Sequence, residues 1–300
     1  MGMEVLAKEL RRALPGLRLL EHEPMDRHCS FRTGGPADLF AEPSSEAELA
    51  ALRRLLWEKG AESVIIGNGT NLLVRDTGVR GVVIHIGEGL SGVRFDGGTA
   101  AAGAGITLAR LAVAAKDRGL SGLEFAHGIP GSLGGAVMMN AGAYGGEMKD
   151  VVASVRCLDE RGEAWETEDP GFAYRHSRFS EGTDLILGAS LRLTPGNTAE
   201  IEARMRELMG KRSASQPLDR PSAGSTFKRP ATGYAAAMIE GAGLKGFRLG
   251  GAQVSEKHAG FVINAGGATS ADILALMEHI QDTVEKQYGL RLEPEVRIIG

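Results

Sequence analysis

The chain is nearly devoid of cysteine: Cys29 and Cys157 stand alone among 300 residues. Two thiols build neither a disulfide scaffold nor a cysteine-rich metal site, and no metal is expected. Excess positive charge is also missing. Lysine and arginine number 34 against 38 aspartates and glutamates, a formal charge of -4. Such a chain has no general attraction for nucleic acid or an anionic membrane surface. An anionic ligand has to be held by a local cluster of cations or by backbone N–H groups. No uncharged apolar run approaches the ~18 residues of a membrane-spanning helix. The opening Met1-Gly-Met-Glu-Val-Leu6 lacks the basic and apolar regions of a signal peptide, and Leu6 stands where a myristoylation signal requires Ser or Thr. The expected compartment is the cytoplasm. Neither a 20–50-residue repeat nor a low-complexity tail is found.

Glycine, by contrast, is abundant. Its 43 residues are about twice the usual share. They cluster at 67–69, 128–146 and 241–267 without a Gly-X-Y period, which excludes collagen. Glycine clusters between apolar segments mark tight turns or close approach of backbone to a ligand. Hydrophobic residues at 43% and charged residues at 24% describe an ordinary folded protein. The length allows two or three domains, each with its own core.

Ser45 and Glu48 have capping-box spacing before an amphipathic run, which predicts a helix over 45–57 stopped by Gly60. Strands are predicted at 63–67 and 81–86, a helix at 107–118 before Gly119, and strands at 151–158, 164–168 and 186–193. The pattern changes near Pro195. A charged helix at 198–211 and a proline-containing loop at 213–222 follow. Next come a short helix at 234–240, a strand at 260–264, a helix at 270–288 and a C-terminal strand at 290–299. The fold class is α+β. A boundary is expected near 195–205 and a further split near 95, giving domains 1–95, 96–200 and 201–300.

Five motifs stand out. Gly67-Asn-Gly-Thr-Asn-Leu-Leu73 directly follows a strand. Its glycines and asparagines suit a pyrophosphate cradle or an ordinary strand-to-strand turn. It is not a Rossmann fingerprint, because Leu72 holds the position of the third glycine. The run His127-Gly-Ile-Pro-Gly-Ser-Leu-Gly-Gly135, continuing to Asn140 and Gly142, is built of small and apolar residues. Backbone this bare lies flush against a flat ligand or packs as a buried helix. Tyr174-Arg-His-Ser-Arg-Phe179 reads on composition as exposed arginines on a helical turn. Gly224-Ser-Thr-Phe-Lys-Arg-Pro230 sets Ser225 near Lys228 and Arg229, either a reactive hydroxyl beside an anion clamp or a basic surface turn. It lacks the nucleophile elbow of a hydrolase. In Leu292-Glu-Pro-Glu-Val-Arg297, Pro294 favours extended backbone, and alternation places Glu293 and Glu295 on one face.

In this order, these five motifs resemble the UDP-N-acetylenolpyruvoylglucosamine reductase (MurB) family of bacterial cell-wall synthesis, from about Ser30 to Gly300. The length, and the lack of an insertion for a substrate-covering tyrosine loop, resemble the shorter subgroup. The resemblance implies a two-part FAD-binding module of the p-cresol methylhydroxylase/vanillyl-alcohol oxidase type plus a C-terminal α+β substrate-binding domain. It implies non-covalent FAD and NADPH as reductant. Gly67, Asn68, Gly69, Thr70, Asn71 and Leu72 would hold the FAD pyrophosphate. Gly128, Ile129, Pro130, Gly131, Ser132, Gly134, Gly135, Asn140 and Gly142 would flank the rest of the cofactor.

In the implied reaction, hydride reaches C3 of the enolpyruvyl group of UDP-N-acetylglucosamine enolpyruvate, and UDP-N-acetylmuramate forms. Arg175 would stabilise the negative charge that develops toward C2 and the carboxylate. Glu295 would assist in a protonated or donor-bonded form, and Ser225 would protonate C2. Lys228, Arg229 and His258 are expected to hold the diphosphate and sugar nucleotide. Residues so distant in sequence are expected to meet in a cleft between domains. A monomer is expected, without nucleic-acid or membrane partners. The alternative is another FAD-dependent oxidase or dehydrogenase of the same superfamily. Many of these tether flavin through a histidine in the glycine-rich loop, which here reads Asn-Gly-Thr-Asn-Leu and has none.

Overall fold

The computed structural model describes residues 2–300. The chain forms two compact units, each assembled from separate stretches. The first runs to Glu21, then takes Leu39–Asn68 and Gly81–Arg212; the second takes His22–Asp38, Gly69–Arg80 and Ser213–Gly300.

Two sheets dominate the first unit. One has four strands in the order Arg18–Pro24, Pro36–Glu42, Val79–His85 and Ser63–Ile66. Its last pair is parallel, with Ile65 opposite Ile84. The other is antiparallel throughout and has five strands, in the order Ala164–Thr167, Val152–Leu158, Leu185–Arg192, Thr99–Gly103 and Val93–Asp96. The central strands read as near-continuous apolar runs because Val155, Cys157, Leu158, Leu185, Leu187 and Leu191 are all buried.

The helices follow local signals. Helix α1 is Met3–Ala13 and α2 is Glu46–Glu58. Leu49, Leu52 and Leu56 of α2 share one buried stripe. Ser45 Oγ accepts the Glu48 amide at 3.2 Å, as its spacing predicts. The return bond of the box is displaced by one residue: Glu48 Oε2 accepts from the Ser44 amide at 2.7 Å and the Ser44 hydroxyl at 2.9 Å. Helix α3, Leu108–Lys116, starts at Thr107, whose Oγ1 accepts from the Arg110 amide. The short α4 is Leu133–Met138, and α5 is Thr198–Ser215. Ile201 and Met205 of α5 belong to the core of the first unit. That burial explains why α5 stays with this unit as far as Arg212.

In the second unit, α6 (Ala235–Gly241) and α7 (Ser270–Tyr288) accompany an antiparallel sheet of Arg248–Leu249, Ala252–Val254 and Val262–Asn264. Ile273, Leu276, Ile280 and Val284 form the buried stripe of α7. The first three α7 amides all have partners. Asp76 accepts from Ser270 at 2.9 Å and from Ala271 at 3.0 Å, and Thr269 Oγ1 accepts from Asp272 at 3.0 Å. Gly289, at φ 69°, closes the helix.

The early segments of this unit are stitched to its late ones. Asn264 Nδ2 donates to the Phe31 carbonyl at 3.0 Å, and the Arg75 amide donates to the Ile299 carbonyl at 2.9 Å. Leu72–Val74 pairs in parallel with Arg297–Ile299. The predicted strand over 290–299 therefore shrinks to its last three complete positions. Residues 293–295 instead pair with 226–228 around a bridge between Phe227 and Pro294. Among the described residues no helix is long and apolar enough to cross a membrane.

Candidate active site

Two glycine-rich turns meet in the first unit. Gly67 follows the strand Ser63–Ile66, and a β-carbon placed on it would stand 2.4 Å from Ser132 Oγ. The turn around Ser132 is fixed against residues 104–108. The Gly131 carbonyl accepts from Leu108 at 3.1 Å, Leu133 donates to Ile106 at 2.9 Å, and Gly134 donates to Ala104 at 2.9 Å. Gly131 has φ 130°, a conformation that residues with a side chain rarely adopt. Asn68, Pro130 and Gly135 are exposed, while Ile129 packs against the core. Gly134 is a packing glycine, because a β-carbon there would come within 2.9 Å of Ala104 Cβ. Gly128 lies against Arg212 Cδ and Met209 Sδ of α5, at 3.3 and 3.4 Å from its would-be β-carbon. Burial lowers the pKa of Arg212, with Tyr144 acting in the opposite sense. Nothing in the sequence marks Arg212, one charge among many on a charged helix.

The rest of the first motif belongs to the second unit. Backbone occupies the space beside Gly69, whose β-carbon would stand 1.9 Å from the His28 carbonyl oxygen. Thr70 is half-buried. Asn71 braces the C-terminus: its carbonyl accepts from Arg297 at 3.0 Å and its Nδ2 donates to the Glu295 carbonyl at 3.1 Å. Leu72 pairs with Arg297.

Arg175 sits on a tight turn, not on the predicted helical turn. Ala173 and His176 exchange backbone hydrogen bonds of 3.0 and 3.2 Å, and Arg175 at the corner has φ 52°. A left-handed residue other than glycine costs roughly 1–3 kcal/mol and persists only where its surroundings impose it. Here they do. Ser177 Oγ and Ser180 Oγ both donate to the Met138 carbonyl, at 2.7 and 3.0 Å. Phe179 is buried beside Trp165, with ring centroids 6.3 Å apart. Asn140 Nδ2 donates to the Ala173 carbonyl at 3.1 Å. Arg175 Nη1 reaches the Gly142 carbonyl at 3.5 Å, and the guanidinium carbon lies 5.5 Å from the Tyr174 ring centroid. The serine and phenylalanine of this motif therefore serve to hold the arginine.

In the second unit one short ladder joins two of the motifs and the segment around Gly260. Gly224, at φ 78°, turns the chain into Ser225. Thr226 donates its amide to Gly260 and accepts from the Glu295 amide, both at 2.9 Å. Its buried Oγ1 accepts from Val262 at 2.9 Å. Ser225 thus directly precedes the residue that is bonded to Glu295.

Lys228 donates its amide to the Glu293 carbonyl at 2.8 Å, and its ammonium is paired with the Glu293 carboxylate. Arg229 lies over the Tyr234 ring at 4.2 Å. His258 Nδ1 accepts from the Gly260 amide at 3.1 Å, which leaves the proton of the neutral ring on Nε2. Burial keeps the His258 pKa below the ordinary imidazole value. Thr226 and Ser255, whose hydroxyl accepts from the Lys257 and His258 amides, were not singled out in sequence. Both are buried hydroxyls that organise backbone, a role without a sequence signature.

The fold is that of flavoproteins with a vanillyl-alcohol-oxidase-type module. A VAO-type flavoprotein from Myceliophthora thermophila superposes with a TM-score of 0.51 at 14% identity, over 65% of this chain and 48% of that one. Residues 37–168 match the FAD binding domain model, and residues 216–299 match the C-terminal domain model of UDP-N-acetylenolpyruvoylglucosamine reductase.

The chain belongs to the UDP-N-acetylenolpyruvoylglucosamine reductase family of FAD-dependent oxidoreductases. It is 48% identical to the reductase of Agathobacter rectalis over 99% of both chains, and 48% identical to that of Caldanaerobacter subterraneus subsp. tengcongensis over the same shares. The crystal structure of the Thermus caldophilus reductase superposes with a TM-score of 0.80 at 34% identity, covering 95% of this chain and 99% of that one.

The residues present fit the cofactor. The approach of Gly67 to Ser132 leaves no room for a side chain between the two turns, and exposed Asn68 and Gly135 adjoin them. This is bare backbone of the kind that a diphosphate and a flat ring require.

Proposed function

We propose that the protein reduces UDP-N-acetylglucosamine enolpyruvate to UDP-N-acetylmuramate, a step in making peptidoglycan precursors, with NADPH as reductant. The observation that carries this reading is the 48% identity to reductases of that family over 99% of this chain. FAD, when bound, supplies the carrier that takes hydride from NADPH and delivers it to C3 of the enolpyruvyl group. Gly67, Asn68, Gly131 and Ser132 hold its diphosphate, with the neighbouring residues of the two turns around them.

Arg175 supports the substrate carboxylate. A guanidinium presents two parallel donors to that group and opposes the charge that grows on it as hydride arrives. The rigid turn around φ 52° supports this role, because a preset donor needs no reorganisation during reaction. Ser225 gives the proton to C2, and general acid catalysis of this kind is worth about 10²–10⁴ in rate. Glu295 assists in its protonated form, since a bare carboxylate would repel the developing charge. The bond from the Glu295 amide to the Thr226 carbonyl keeps the two motifs adjacent in the backbone, which supports assigning both to one site. Lys228, Arg229 and His258 hold the sugar nucleotide, with His258 donating from Nε2.

The two sheets support a cofactor module divided near residue 95, and the substrate domain takes its late part from Ser213 onward, beyond the expected 201, because α5 stays with the first unit to Arg212. The enzyme acts as a monomer of the shorter subgroup in the cytoplasm, where two free cysteines are at home.

The test is Ser225→Ala, read in two half-reactions. NADPH still bleaches the flavin at the parent rate, and the enolpyruvyl substrate reoxidises it at least about a hundredfold more slowly. Parent rates in both halves would remove Ser225 as the acid.

A further inference from the structure

Asn140 was expected among the cofactor contacts. Its surroundings give it another role. The residue is 1% exposed and has φ 42°, a left-handed conformation that asparagine tolerates better than most residues. Nδ2 donates to Glu147 Oε2 at 2.7 Å and to the Ala173 carbonyl at 3.1 Å. Oδ1 accepts from the Lys149 amide at 2.9 Å. The orientation of the amide is fixed by these partners, because two acceptors face one end and a donor faces the other. Both side-chain protons are committed, so none remains to donate to a flavin.

We propose that Asn140 is a positioning residue for Arg175, an inference that rests on the reading of Arg175 as the carboxylate-binding group. Ala173 is the first residue of the turn whose corner is Arg175, and its carbonyl closes that turn with His176. Asn140 holds this carbonyl from the side. The far end of the turn is held by Ser177 and Ser180 on Met138, two residues before Asn140 in the chain. The 138–142 segment therefore grips the turn at both ends. Its next carbonyl but one, that of Gly142, faces the guanidinium itself. Glu147 and Lys149 lock the asparagine amide in turn. With the Asn140 donor lost, the Ala173 carbonyl has no lateral anchor, and the strained corner relaxes toward ordinary backbone. The guanidinium then moves with it.

The experiment uses the FAD-loaded enzyme with Asn140→Ser and Asn140→Asp, both of which remove the Nδ2 amide, the serine hydroxyl being too short to span to Ala173. FAD affinity by fluorescence titration stays within about twofold of the parent, and the flavin spectrum and NADPH bleaching rate are unchanged. Reoxidation by the enolpyruvyl substrate slows about tenfold to a hundredfold, as expected when a reacting group is misplaced by an ångström or so. Added to Arg175→Lys, Asn140→Ser lowers the rate little further, because both changes act through one group.

A tenfold loss of FAD affinity would make Asn140 a cofactor contact and overturn the proposal. Reoxidation at the parent rate would overturn it as well. If neither variant yields folded protein, Glu147→Gln, which weakens the grip on the same amide, carries the test: a several-fold slowing of reoxidation supports the proposal, and the parent rate refutes it. Failure of the underlying reading looks different. Arg175→Lys would then run both halves at the parent rate whatever the Asn140 variants do.

Discussion

The amide of Glu295 donates to the carbonyl of Thr226 at 2.9 Å. This bond places the proposed acid Ser225 one residue from a rung shared with the C-terminal motif. Thr226 also holds the Val262 amide through Oγ1 and is 1% exposed.

Thr226→Val keeps the shape and deletes the acceptor. The Val262 amide is left buried without its partner, at a cost of about 1–3 kcal/mol. Thermal melts will show the loss, and kcat will fall with it because Ser225 directly precedes Thr226.

Asp76 caps α7 from a different part of the chain. Burial pushes its carboxyl up, but the hydrogen bonds from Ser270 and Ala271 outweigh burial and hold the pKa below the ordinary value. A depressed carboxyl contributes stability above its unfolded pKa and loses it as pH falls through the folded one. Asp76→Ala therefore costs about 0.5–2 kcal/mol at neutral pH. In melts over a pH series, the gap to the parent closes as pH drops below about 3.9.

His258 has the opposite charge type with the same sign of dependence. Burial disfavours its protonated form, and the Gly260 amide occupies Nδ1. As pH falls below about 6.5, the unfolded chain takes up this proton before the folded one, so stability is lost toward acid. His258→Asn offers an amide oxygen to Gly260 and does not titrate. Its melting temperature should vary less than the parent's between pH 7 and 5.

The two thiols are chemically quiet. Burial raises the pKa of Cys29 and pushes Cys157 up to about 12. Because the thiolate is the reactive form, a thiol reagent at pH 8 should label neither residue in native protein and both after denaturation. Rapid labelling of the native state would contradict this burial.

Much of the architecture was legible because its signals are local. Helix α7 is predicted at 270–288 and found there, since buried apolar residues share one face and Gly289 ends it. The elements that escaped depend on partners far away in sequence. Residues 293–295 read as part of a strand over 290–299, yet their ladder is with 226–228. Arg175 read as part of an exposed helical turn because neither glycine nor asparagine marks its left-handed corner; the tethers from Met138 and Asn140 impose that conformation. The second unit draws on His22–Asp38 and Gly69–Arg80, which a division into consecutive blocks could not anticipate. Of the proposed site residues, Ser225 and Glu295 were recognisable through their motifs, whereas Thr226 looked like filler between them.

That threaded second unit has a consequence for biosynthesis. Phe31 leaves the ribosome early, but its partner Asn264 follows 233 residues later. At about 5–20 residues per second the wait is roughly ten to fifty seconds. The Ile299 carbonyl that receives the Arg75 amide lies 224 residues further along the chain. Segments 22–38 and 69–80 can bond to each other early, Ser30 to Gly69 and Gly35 to Arg75, but the bonds of Phe31 and Arg75 to the late residues must wait until those residues are made.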